Sequence, residues 1–119
     1  MKDRKTLGKN GEDAVCAHLE TTGRRVVERN FFCRAGEIDI IARERDTVLF
    51  VEVKTRSSGA FGTPGEAVTL MKQGKIRQTA QEYILKRELD ENQGYRFDVA
   101  EVYKESGGFR INYIENAFD

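Results

Sequence analysis

The stretch from Gly36 to Thr55, GEIDIIARERDTVLFVEVKT, puts charge inside two runs that ought to be buried. Glu37 to Arg43 and Thr47 to Thr55 are rich in Ile, Val, Leu and Phe, flank a short polar link, and read as a β-hairpin. Side chains alternate along a strand, so Glu37, Asp39 and Ile41 share one face, and Val48, Phe50, Glu52 and Lys54 share one face of the next strand. If the link is of even length and centred on Arg45 and Asp46, Asp39 falls opposite Glu52. Cross-strand Cβ atoms lie about 5 Å apart, and two ionised carboxylates there repel by roughly 3 kcal/mol at an effective dielectric of 20. A divalent cation offsets that most directly, since Mg2+ is held by one or two carboxylates with water and phosphate oxygens around it. Lys54, roughly 7 Å along the same face from Glu52, can partly neutralise the pair and reach an attacking water or a phosphate. An Asp, a Glu and a Lys converging on one point suit metal-assisted phosphodiester hydrolysis.

The competing reading makes Glu52 and Lys54 solvated neighbours on the open face of an antiparallel sheet, paired by no more than about 1 kcal/mol. Val48 to Val53 is apolar at five of six positions, which instead suits a strand covered on both faces.

A second anomaly precedes the hairpin. Leu7, Gly11, Ala14, Val15, His18, Leu19 and Thr22 follow a helical rhythm, with Gly23 as the stop. At 100° per residue, Glu12 lies about 20° from Leu19 and about 60° from Val15, so this carboxylate faces inward and needs a partner or a metal. Gly8 and Gly11 leave room for close approach by a strand or a ligand. The alternative is a residue at the edge of its apolar stripe, reaching out to water.

Arg25 to Arg29 reads as a short strand and Asn30 to Ala35 as a connection. Beyond Thr55, RSSGAFGTPG carries the sole proline, Pro64, and ends the sheet in a long loop suited to substrate contact. A second helix is expected from Leu70 to Glu88, with Thr69 as N-cap and Ile76, Ala80, Tyr83 and Ile84 inward. Lys72 lies about 40° from that stripe and can reach the sheet edge. Tyr95 to Lys104 and Phe109 to Ile114 read as strands. Asp98 interrupts the first of them, and pairing with Arg96 or a neighbouring Arg accounts for it. A helix between the hairpin and Tyr95 implies a crossover that makes the flanking strands parallel. The order is αβββαββ, an α/β fold with a mixed sheet flanked by helices, in one domain over residues 1–119.

Charge decides what such a chain meets. Net charge is zero, yet residues 88–119 hold eight acids and three bases, leaving twelve acids and seventeen bases in residues 1–87. The basic part carries the hairpin, and positive charge around a phosphate-cleaving site assists capture of a nucleic-acid backbone. Arg34, Arg56, Lys72 and Lys75 are the expected backbone contacts. No apolar tract is long enough to span a bilayer, and no leader precedes the first helix, so no membrane partner and a cytoplasmic location are expected. Cys16 and Cys33 read as packing residues in a reducing compartment, and the single His18 leaves little room for histidine-based chemistry.

Glu12 in the first helix, Asp39 before the hairpin turn and Glu52-Val53-Lys54 on the next strand resemble the PD-(D/E)xK nuclease core. GEDAVCAHLE, GEIDIIA, FVEVKTR, FGTPGEAV and RFDV resemble more closely the small bacterial YraN-type family, whose members are similar to archaeal Holliday junction resolvases. The match spans nearly the whole chain, with Ile38 where the superfamily's name has proline. The resemblance implies a restriction-endonuclease-like core, Glu12, Asp39 and Glu52 as ligands of Mg2+ or Mn2+, and Lys54 as catalytic lysine. It implies DNA as the partner, branched DNA among the candidates, with a second copy of the chain as another. A non-catalytic nucleic-acid or protein-binding module that kept the fold is the alternative function.

Overall fold

Five apolar residues in six make Val48 to Val53 suited to the middle of a sheet, and that is where the strand lies in the computed structural model. The structure describes residues 4–56, 68–90 and 92–119, and side chains from Asn10 onward. These residues form α1 (Arg4–Thr21), β1 (Arg25–Cys33), β2 (Gly36–Glu44), β3 (Thr47–Arg56), α2 (Leu70–Lys86), β4 (Gly94–Glu105) and β5 (Gly108–Phe118), in the expected order. The sheet runs β1-β2-β3-β4-β5. β3 pairs antiparallel with β2 and parallel with β4, so α2 is carried on a crossover, as its position in the sequence requires. Pro64 and the segment 57–67 expected as a loop lie outside the described residues, and so do the surroundings of Gly8.

Both faces of β3 are covered. Val15 and Leu19 of α1 pack on Ile40, Ala42, Leu49, Val51, Ala100 and Val102. On the other face, Ile76, Ala80 and Tyr83 of α2 pack with Ile41, Val48, Phe50 and Val99. α1 ends at Gly23, whose φ of 87° suits a residue without Cβ, and the Arg24 N–H closes the turn on the Leu19 carbonyl at 2.9 Å. α2 begins as expected, with the Thr69 hydroxyl accepting from the Lys72 N–H at 3.2 Å. It stops at Lys86, two residues short of the expected Glu88, which adopts φ 52°.

Two strands run longer than their sequences suggest. The presumed connection Asn30 to Ala35 is mostly β1: Phe31 pairs with Ile38 and is 6% exposed, leaving Arg34 and Ala35 as the turn. Asn30 sits mid-strand at φ 53°, a conformation that Asn tolerates better than most residues and that makes a strand look like a loop on paper. β5 likewise continues past Ile114 to Phe118, through Asn116 at φ 51° and a shift of register opposite Asp98. Among the described residues no helix is long and apolar enough to cross a membrane. A mixed sheet with one helix on each face, in the order αβββαββ, is a restriction-endonuclease-like core.

Candidate active site where β2 leaves β3

The hairpin link is the two residues Arg45 and Asp46, and Glu44 pairs with Thr47. Register then runs through Ile41 with Phe50 to Ile40 with Val51, and continuing it by one sets Asp39 against Glu52. There the ladder changes. The Val53 N–H donates to Asp39 Oδ2 at 2.8 Å, so a side chain takes a backbone donor where the strands part. The pleat of β2 breaks at the same place. Ile38 joins the cluster under α2 whereas Ile40, two residues on, joins the cluster under α1, and the kinked Asn30 lies across from the break.

Asp39 is half-buried and Glu52 is 7% exposed. Burial raises both carboxyls, Asp39 to about 6 and Glu52 to about 7. The Val53 N–H opposes the rise at Asp39, while the charges of Glu12 and Glu37 add to it. At Glu52 the Asp39 charge adds to burial, and Lys72 and Lys54 oppose it. Lys72, on the first turn of α2, brings its Nζ to 3.7 Å from Glu52 Oε1. Lys54 shares the β3 face of Glu52 and acts on it through charge, without an ion pair within 4 Å among the described residues.

Glu12 is near enough to Asp39 to raise its pKa, but its own carboxylate lies 3.4 Å from an Arg29 guanidinium nitrogen that also binds Asp13 at 2.8 Å. Among the described residues, no three His, Cys, Asp or Glu side chains are grouped to hold a metal ion. The structure therefore brings Asp39 and Glu52 together, with Lys54 and Lys72 in their field, and leaves Glu12 with Arg29. Arg29 escaped sequence reasoning, although an inward Glu12 demanded a base, and an arginine on the neighbouring strand was the available one. Gly11 fixes that end of α1. A Cβ there would stand 2.9 Å from Thr55 Oγ1 and 3.7 Å from Val102 Cγ1, so the helix approaches β3 and β4 only because Gly11 has none.

The other expected backbone contacts are dispersed. Arg34 lies in the β1–β2 turn, on the wall of a groove of about 550 Å³ shared with Gln78, Glu82 and Lys86. Lys75 sits against the same turn, its Cβ 3.6 Å from where a Gly36 Cβ would be. Arg56 is held 3.5 Å from Glu101, which is 1% exposed and also accepts from Asn112 Nδ2 at 2.8 Å.

Two adjacent carboxylates, one buried and one half-buried, with raised pKa values offer hard oxygen donors, and the cost of charging both falls when a cation lies between them. That donor set fits Mg2+ or Mn2+, which take few protein ligands and complete their shells with water.

Relatives match along the full length of this fold. A UPF0102 protein of Alkaliphilus oremlandii is 49% identical over 115 residues, covering 96% of this chain and 98% of its own. Those of Caldicellulosiruptor saccharolyticus and Clostridium botulinum are 45% and 42% identical, over 98% and 96% of this chain and 99% and 94% of theirs. The solved structure of Pyrococcus furiosus SfsA in complex with Ca2+ aligns with 97% of this chain, which spans 63% of that one, at 16% identity and a TM-score of 0.33, a likeness that decides nothing. The model of a family described as uncharacterised protein family UPF0102 matches residues 11–102. With this coverage, and with an acidic pair and a lysine on the strands of such a core, the chain belongs to the UPF0102 family, the YraN-type group of PD-(D/E)xK nuclease-like proteins.

Proposed function

We propose that the protein is a divalent-cation-dependent endonuclease that hydrolyses DNA phosphodiester bonds, with branched or recombination-associated DNA as its substrate class. The observation that carries this reading is the buried Glu52 with the half-buried Asp39 one register step beyond the Ile40–Val51 pair, and Lys54 on the same face of β3. Nothing in the packing of the sheet needs both charges there. When bound, Mg2+ or Mn2+ polarises the scissile phosphate and increases the acidity of water. Asp39 and Glu52 would supply its oxygen ligands, and Glu12, paired with Arg29 at 3.4 Å, would be the third acid available to it. Lys54 donates from Nζ to the attacking water or to the phosphate oxygen that gains charge. Arg34, Arg56, Lys72 and Lys75 spread the backbone affinity over several bases.

A second reading has its own support. The capture of Glu12 by Arg29 leaves two acids rather than three at the centre, which a binding module that kept the fold would tolerate. Cleavage of linear, nicked, flapped and four-way DNA with Mg2+ or Mn2+ separates the two. Lys54→Ala should lower cleavage by about a hundredfold or more while leaving DNA affinity within about threefold. Steep salt dependence of binding with no cutting by the wild type would favour the module. Equal cutting by wild type and Lys54→Ala would remove Lys54 from the chemistry.

A further inference from the structure

Two lysines act on Glu52, and they do so differently. Lys54 stands along the same strand with no ion pair to Glu52 within 4 Å among the described residues, whereas Lys72 Nζ lies 3.7 Å from Glu52 Oε1. The Lys72 side chain is 41% exposed and that of Glu52 8%, so the ammonium spans from the buried acid to solvent. Its backbone is fixed, because the Lys72 N–H is bound by the Thr69 hydroxyl at the start of α2. Its four-carbon stem is free to turn.

A carboxylate oxygen facing this ammonium cannot also face a divalent cation at about 2 Å without setting two positive charges against each other. We propose that Lys72 is the resident counter-ion of the acidic pair: it holds Glu52 until a divalent cation binds, and then swings to the DNA phosphate brought in beside that cation. The inference rests on the reading of Asp39 and Glu52 as a cation site. It gives one residue opposite effects on two affinities. Lys72 opposes the metal and assists the phosphate, and each binding event favours the other by releasing or engaging the same ammonium.

Calorimetric titration with Mn2+ of wild type, Lys72→Met, Lys54→Met and Glu52→Gln tests the first effect. Methionine keeps a good helix former and a stem of similar length at a part-exposed position of α2, so the variant folds. Lys72→Met should bind Mn2+ about fivefold more tightly, the scale of one partly exposed ion pair, and Lys54→Met should change affinity by less than about twofold. Anisotropy of a labelled DNA junction in a Lys54→Ala background, where cutting is suppressed, tests the second. Adding Lys72→Met should weaken DNA binding about threefold more with Mn2+ than in EDTA, and an equal loss in both would overturn the swing. Equal tightening by Lys72→Met and Lys54→Met would reduce Lys72 to general field charge and overturn the proposal. So would an unchanged Mn2+ affinity in Lys72→Met when Glu52→Gln abolishes binding, with the cation site itself left standing. Wild-type Mn2+ affinity in Glu52→Gln would remove the cation site and this proposal together.

Discussion

The sheet buries carboxylates in two places and treats them in opposite ways. Asp98 on β4 is 0% exposed and saturated with donors. The Arg96 guanidinium grips it at 2.8 and 2.9 Å, the Tyr113 hydroxyl donates at 2.6 Å and the Asn116 N–H at 2.9 Å. Glu52 on β3 is 7% exposed and has the part-exposed Lys72 ammonium at 3.7 Å and the Asp39 carboxylate close enough to add to its charging cost. A buried charge that serves architecture is surrounded by fixed dipoles that favour the charged form. One with a single ammonium among the described residues, beside a like charge, is a place where something from outside can supply charge.

The sharpest way to break this comparison is to remove each acid in turn. Asp98→Ala should destabilise the protein by about 3 kcal/mol or more in urea unfolding, because it takes the acceptor from the Tyr113 hydroxyl and the Asn116 N–H at the register shift of β5 and leaves Arg96 only Glu44 at 3.3 Å and Glu115 at 3.8 Å. A loss below about 1 kcal/mol would mean that the Asp98 hub is ornamental and that the two acids do not differ in kind.

Glu52→Gln should act in the opposite direction. The folded values of Asp39 and Glu52, about 6 and about 7, lie above the values near 4 of an unfolded chain. Between those limits the folded state holds protons that the unfolded state has released, so this contribution to stability is complete below about pH 4 and is lost as pH rises through about 7. Glu52→Gln removes the loss. At pH 4 it should match wild type within about 0.5 kcal/mol, and at pH 8, in EDTA, it should be more stable by on the order of 3 kcal/mol. A constant difference from pH 4 to 8 would show that the pair does not titrate as a strained unit.

Tyr113→Phe gives the smallest effect and the finest test. It takes one donor from Asp98 and leaves three, so the cost should be about 1.5 kcal/mol, without new dependence on pH between 4 and 8. A cost near that of Asp98→Ala would make the Tyr113 hydroxyl the essential contact and the remaining donors secondary.

Much of the acidic pair is readable from sequence because β periodicity is rigid: with a two-residue link at Arg45 and Asp46, the facing of Asp39 and Glu52 follows by counting. Asp98 with Arg96 is readable for the same reason, since the two residues share a strand face. Two classes of feature are not. Asn30 and Asn116 adopt positive φ inside strands, where backbone curvature imposed by neighbours overrides the turn-forming character of Asn, and β1 and β5 therefore look shorter than they are. Partnerships between elements are the other class. Arg29 with Glu12 and Arg56 with Glu101 depend on how α1 and β4 lie against their neighbours, which local periodicity does not encode. The expected inward Glu12 is real as a direction, and its engagement by Arg29 is the part that only packing reveals.

The hydrogen bond from Val53 to Asp39 carries a consequence for what each acid can tell about the protein's history. Asp39 has two employments: its charge belongs to the acidic pair, and its oxygen closes the backbone of the central strand where β2 turns away. A descendant that lost all chemistry would still be held to Asp or Asn at this position by the orphaned N–H that any apolar residue would leave. Among the described residues Glu52 has no such duty to the backbone. Its replacement relieves strain at neutral pH, so a lineage free of function would shed it early. The persistence of Glu52, rather than of Asp39, is thus the position at which selection for activity can be told apart from selection for the fold.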